Sequence, residues 1–172
     1  STLKMRDINE LFRNPQFTIS VAIFFILFLV YTMEGLTVID KMLEIGSSNQ
    51  QVGYLWSFQA FVELPLMIFG IKFIEKFGVK KILVVTSIAF FLRYFLYGLA
   101  TSGNQMILIS GLQLITYPFM LLSQKVLINY STPIHLRASG HMVMTGITSN
   151  IPIIIVPLIS SFLHRFISYS MI

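Results

Sequence analysis

Residues 52–81 decide the fold of this chain, and their sequence is VGYLWSFQAFVELPLMIFGIKFIEKFGVKK. The stretch combines an apolar run, a carboxylate in the middle of that run at Glu63, and a basic turn at its end. A helix rises about 1.5 Å per residue, so about 20 apolar residues cross the hydrocarbon core of a bilayer. Because an acidic side chain is costly in hydrocarbon, Glu63 requires a compensating partner or a function.

The composition of the whole chain predicts an integral membrane protein. Of 172 residues, 55% are hydrophobic and 11% are charged, whereas an ordinary soluble domain has about 25% charged residues. The chain has no cysteine and three histidines, which excludes thiol chemistry and argues against a metal cage. The basic residues stand at the ends of apolar runs, as membrane anchors do. We therefore expect a lipid bilayer as the surroundings, and no nucleic acid, cofactor or metal.

The apolar runs predict an all-α fold, a bundle of five transmembrane helices. Residues 1–15 are charged and amphipathic, which predicts a cytoplasmic linker or interfacial helix. The transmembrane bundle covers residues 16–165, and residues 166–172 resemble the first turns of a further, truncated span. The predicted spans cover approximately residues 16–38, 52–73, 82–100, 105–127 and 138–162.

The distribution of basic residues predicts the orientation of the helices. Lys41 and Arg165 lie on one side of the predicted membrane, and Arg93 lies within a span. All other basic residues lie on the opposite side, which the positive-inside bias assigns to the cytoplasm. They are Lys4, Arg6, Arg13, Lys72, Lys76, Lys80, Lys81, Lys125 and Arg137. We therefore expect a multi-pass protein of the cell membrane with a cytoplasmic N-terminus.

The turn after the second span resembles a known loop signature. It places an acid and a base before a glycine and two further bases, with Ile71 where the signature opens on glycine; these residues are Glu75, Lys76, Gly78, Lys80 and Lys81. The pattern resembles the loop signature of the major facilitator superfamily. Residues 14–17 resemble the start of the seventh helix of these transporters, and the five spans resemble helices seven to eleven. The resemblance implies an incomplete six-helix half of a transporter.

Glu63 and Arg93 are candidates for one site, because their depths in the membrane match. Counted from the predicted cytoplasmic helix ends, Glu63 lies about 15 Å deep and Arg93 about 17 Å deep. Charges at matching depth on consecutive helices can meet, and a lone charge there costs at least ~2.5 kcal/mol. A static ion pair that only fixes helix packing is the alternative to a functional pair.

The resemblance also implies a role for the two charges. In lactose permease and its oligosaccharide and nucleoside relatives, an acid on the eighth helix takes part in sugar binding and proton coupling, and an arginine on the ninth assists proton release. Glu63 and Arg93 stand at those places, which implies proton coupling. The tenth-helix histidine and glutamate of lactose permease have no counterpart, since Gln113 and Thr116 stand there. Lactose itself is therefore not implied.

Polar and aromatic residues of the later spans are candidate substrate ligands. Gln113, Thr116 and Asn150 could hydrogen-bond the hydroxyl groups of a sugar, and Tyr117 could stack on its ring. Each also has a packing alternative, because polar side chains bridge helices for about 0.6 kcal/mol on average and membrane aromatics often lie at interfaces. Glu34, near the outer interface, is expected to be solvated.

These observations leave several functions open. The leading hypothesis is half of a secondary active transporter that moves a sugar-like or nucleoside-like solute with protons by alternating access. A drug exporter of the same superfamily is an alternative. Export of apolar cations would favour an aromatic cavity lined by acids and without an arginine, so Arg93 argues against this alternative. A membrane piece that does not transport and assembles with a partner is another. An enzyme is not expected, because no nucleophile and base constellation appears. The expected partners are a small solute, protons, and either a missing N-terminal half or a second copy.

Overall fold

The structure is a computed structural model that describes residues 5–169, with the side chains of residues 5–162. Helices and short turns account for this part of the chain, which contains no strand. The helices are α1 (Met5–Arg13), α2 (Pro15–Glu44), α3 (Asn49–Phe77), α4 (Val79–Leu99), α5 (Gly103–Ser110), α6 (Gln113–Ser131), α7 (Arg137–Thr145) and α8 (Ile151–Tyr169). A 3-10 turn, Ile134–Leu136, precedes α7, and a π-helical turn, Gly146–Asn150, joins α7 to α8.

Five helical segments in the described residues are long and apolar enough to cross a membrane. They are Pro15–Glu44, Asn49–Phe77, Val79–Leu99, Gly103–Ser131 and Ile134–Phe162. The predicted fold class, an all-α membrane protein with five spans, is therefore confirmed. The predicted start of a further span at residues 166–172 falls in the last residues of α8 and, from residue 170 onward, outside the described part.

Two of the spans are not single uniform helices. The fourth is divided at Gly111 and Leu112, whose amides bond to carbonyls three residues earlier. The fifth contains the π-helical turn, which ends two residues before Pro152. A proline lacks an N–H, and its ring clashes with the carbonyl four residues earlier, here that of Thr148 within the turn. A widened turn at this place relieves the clash, which explains why the fifth span departs from a regular α-helix.

The chain forms two compact units. The terminal unit comprises the chain up to Glu34 and from Ile128 onward, and the central unit comprises Gly35–Leu127. In the terminal unit, α1 packs against α7. The Asn14 amide donates from Nδ2 to the carbonyl of Ser131 at 2.7 Å, while its Oδ1 accepts from the backbone N–H of Gln16 at 2.9 Å. One side chain thus caps the start of α2 and ties it to the end of α6.

The central unit has an apolar cluster at each end. One cluster surrounds the loops that join α2 to α3 and α4 to α5; it consists of Val38, Met42, Leu55, Tyr97, Ala100 and Met106. The other lies near the turn between α3 and α4; it consists of Ile74, Ile82, Phe119 and Leu122. Polar residues of α3, α4 and α6 occupy the positions between the clusters. The hydrophobic contacts therefore fix the helices on both sides of a polar middle layer.

Candidate functional site

The polar middle layer of the central unit is built by helical spacing. Residues three or four apart lie on the same face of a helix. On α3 this spacing relates Gln59 to Glu63, and on α6 it relates Gln113 to both Thr116 and Tyr117. Arg93 is contributed by α4, where its side chain is completely buried at 0% exposure.

Gln113 connects the acid to the base. Its Nε2 donates to Glu63 Oε1 at 2.7 Å, and its Oε1 accepts a hydrogen bond from Arg93 Nη1. Arg93 Nη1 also donates to Thr116 Oγ1 at 2.9 Å. The opposite orientation of the amide would place its oxygen against the carboxylate and its N–H groups against the guanidinium, so the charges on both sides determine which way Gln113 points.

Aromatic rings surround the guanidinium of Arg93. Its Cζ lies 5.4 Å from the ring centroid of Phe90 and 5.8 Å from that of Tyr94. Cations within about 6 Å of an aromatic face are attracted by the ring quadrupole, more strongly where water is excluded. The positive charge of Arg93 is thus stabilised by hydrogen bonds on one side and by rings on the other, which fixes its position.

The middle layer contains two further contacts. Gln59, which is 4% exposed, donates from Nε2 to the hydroxyl of Tyr97 at 3.5 Å. Tyr117 is half-buried and close enough to the Glu63 carboxylate for an electrostatic interaction. Gln59 and Phe90 were not among the predicted site residues. Their spacing in the sequence could have indicated them. Gln59 lies four residues before Glu63, and Phe90 lies three residues before Arg93, so each shares a helical face with a charged residue of the site.

The other predicted residues lie elsewhere. Asn150 is exposed in the π-helical turn of the terminal unit. Glu34 was expected to be solvated, and this expectation is wrong, since only 2% of its surface is exposed. Glu34 lies on α2 four residues before Val38, which is also buried, and residues four apart share one face of a helix.

The residues of the loop signature form the turn between α3 and α4. Gly78 is the single residue between the two helices, with φ 85° and ψ 139°, a conformation that residues other than glycine rarely adopt. Its N–H bonds to the carbonyl of Ile74 at 2.8 Å. Four exposed charged residues surround it; they are Glu75, Lys76, Lys80 and Lys81.

The residues of the network differ in how far they are exposed at the protein surface. Arg93 and Gln113 are buried at 0% and 1% exposure, whereas Glu63 is partly exposed. The carboxylate is therefore the accessible group of the network, whereas the amide and the guanidinium are buried. The described residues contain no cluster of histidine and acidic side chains that could hold a metal ion.

Comparison with known proteins gives a match to a protein family. The model of the MFS_1 like family matches residues 3–165. No curated protein and no solved structure matches the chain. The match agrees with the loop signature and the five apolar spans, and it points to transport rather than to an enzyme. The finer likeness to lactose permease and its relatives has no such support. The chain belongs to the MFS_1 like family, a transporter family of the major facilitator superfamily.

Proposed function

We propose that this chain is half of a secondary active transporter that couples the movement of a sugar-like or nucleoside-like solute to protons. Family membership supports transport as the function. The observation that carries the proposal further is the hydrogen-bonded chain from Glu63 through Gln113 to Arg93. It joins three helices at the depth where transporters bind their substrates and coupling ions.

The uneven exposure of the network favours proton coupling over a static ion pair. A pair that served only packing would bury both charges, because exposed ion pairs contribute little. Here the base is buried and the acid is partly exposed. In our proposal Glu63 releases its proton when the Gln113 amide and the Arg93 charge stabilise the carboxylate. It takes up a proton when substrate or helix movement withdraws that support.

Alternating access requires a second half, because two helical bundles must move around a site between them. We infer that a missing N-terminal half or a second copy of this chain supplies it. The complete transporter would lie in the cell membrane with the N-terminus of this chain in the cytoplasm. Among the candidate ligands, half-buried Tyr117 offers a ring face. In our proposal Gln113 and Thr116, which are buried, reach solute hydroxyls only when helix movement opens the site. Asn150, on the terminal unit, is proposed as a further ligand.

Glu63→Gln in the intact transporter tests this proposal. The amide keeps the shape of the side chain and removes its titration. In proteoliposomes with an imposed proton gradient, we expect accumulation of a radiolabelled sugar or nucleoside to be lost, while exchange of solute across the membrane without a gradient is retained. Retained exchange shows that the variant is folded and binds its substrate.

Glu44→Gln is the matched control, since Glu44 is an exposed acid at the end of α2 and belongs to none of the candidate sites. Its accumulation should equal that of the unmodified transporter. Proton-driven accumulation that persists undiminished in Glu63→Gln would refute the assignment of Glu63. Export of apolar cations, with no sugar or nucleoside transport in either variant, would favour the drug exporter instead.

A further inference from the structure

A second feature of the central unit is an apolar groove between α3 and α6. Its volume is about 840 Å³, within the range of about 300–1,000 Å³ that is usual for ligand sites. Pro65, Phe69 and Phe73 line it from α3, and Leu114 and Phe119 line it from α6. None of the residues that form the Glu63 network lines it, so the groove is a separate feature with its own requirements.

The length of the groove matches one leaflet of a bilayer. On α3 its lining begins at Pro65, beside the polar middle layer, and ends at Phe77, next to the Gly78 turn. The 12 helical steps from Pro65 to Phe77 correspond to about 18 Å at about 1.5 Å per step. Half of a hydrocarbon core is about 15 Å. An extended acyl chain that reaches from the interface to the membrane centre would therefore fill the groove along its length.

The interfacial end of the groove carries positive charge. Lys72 and Lys76, one helical turn apart, are part of its lining. Each ammonium group lies above an aromatic ring, at 5.8 Å from the centroid of Phe69 for Lys72 and at 5.3 Å from that of Phe77 for Lys76. Lys80 and Lys81 follow beyond the turn, and Glu75 is the acid among them. The groove thus combines an apolar slot with an excess of basic groups at its mouth.

We propose that this groove binds an anionic phospholipid, with an acyl chain along α3 and α6 and the phosphate at Lys72 and Lys76. A purely apolar occupant would leave both ammonium groups without a counter-charge. A zwitterionic lipid carries a positive group in its headgroup, which would repel them. Basic pockets between transmembrane helices are known to select anionic headgroups in this way. The proposal concerns lipid recognition and is independent of the solute that is transported.

The test compares two lipids that have the same chains. The purified full chain in detergent micelles is titrated with dioleoyl phosphatidylglycerol or dioleoyl phosphatidylcholine, and bound lipids are counted by native mass spectrometry. We expect phosphatidylglycerol to be retained preferentially. A lysine near an anionic headgroup contributes about a fivefold preference, so the variant Lys72→Gln with Lys76→Gln should lose about 25-fold.

The matched control is Lys80→Gln with Lys81→Gln, which removes the same charge from the start of α4 outside the groove lining. It should retain most of the preference, and circular dichroism should show equal helix content in both variants. Equal losses in the two variants would assign the effect to general surface charge and overturn the proposal. Displacement of bound phosphatidylglycerol by glycerol 1-phosphate would show a site for free phosphate rather than for a lipid, and would overturn the proposal. A dimer that forms without lipid and depends on Lys72 and Lys76 would also overturn it.

Discussion

Substitution of Gln113 by leucine removes the amide between Glu63 and Arg93 and keeps a side chain of similar volume. The amide makes one hydrogen bond to each charged group. Such bonds contribute about 1.5–3 kcal/mol each in soluble proteins, whereas polar contacts between helices in membranes contribute about 0.6 kcal/mol on average and about 1.7 kcal/mol at most. Arg93 keeps its bond to Thr116. We therefore expect the free energy of unfolding to fall by about 2–3 kcal/mol, between the two scales.

The free energy can be measured by reversible unfolding of the purified chain in mixed micelles with increasing dodecyl sulfate, followed by circular dichroism. Gln59→Leu is the matched control, because Gln59 is also buried and its bond to the neutral Tyr97 hydroxyl is long at 3.5 Å. The free energy of unfolding of Gln59→Leu should fall by only about 0.6 kcal/mol. Equal losses at Gln113 and Gln59 would refute the reasoning. So would additivity within about 0.5 kcal/mol when Gln113→Leu is combined with Glu63→Gln.

Three further predictions concern the turn, the terminal unit and the orientation. Gly78→Ala should lose about 1–3 kcal/mol in the same unfolding assay, because alanine is strained at this φ; an unchanged stability would contradict it. Asn14→Ala removes the α2 cap and the bond to Ser131, and its free energy of unfolding should fall by about 1–2 kcal/mol. Asn14→Ser keeps a capping oxygen and removes only the bond to Ser131, so its loss should be smaller. Since the chain has no cysteine, Asn49→Cys should react with an impermeant maleimide outside intact cells and Lys80→Cys only after permeabilisation; the reverse pattern would contradict the proposed orientation.

The five spans could be predicted because one physical quantity determines them. The thickness of the hydrocarbon core sets the length of an apolar run, and that length is visible in the sequence. The apolar runs that predicted the spans did not predict the form of the irregularities inside them. The break at Gly111 and the π-helical turn before Pro152 depend on how backbone amides find partners in the folded helix, and a hydropathy pattern contains no information about this.

For the site, the sequence predicted only the depth of each residue in the membrane. Counting residues from the helix ends gives depth, and the two residues that it paired, Glu63 and Arg93, are linked through Gln113 in the structure. Depth does not give the rotation of each helix about its axis. Gln113 was therefore interpreted as a substrate ligand, and its position between the acid and the base became visible only with the structure. The burial of Glu34 was missed for the same reason, since it depends on which face of α2 is packed.

The position of the acid on α3, with the base on α4, has a physical consequence for transport. Of the five described spans, α3 is the least buried. In its apolar stretch 17% of the residues are buried, against 39% for α4. Elements with few buried contacts move most readily. Pro65, two residues after Glu63, also removes a backbone hydrogen bond within α3 and allows it to bend there. Arg93 and Gln113 are buried on the better-packed helices. A movement of α3 would therefore carry Glu63 toward or away from Gln113 and Arg93, which is the change that the proposed proton release and uptake would require.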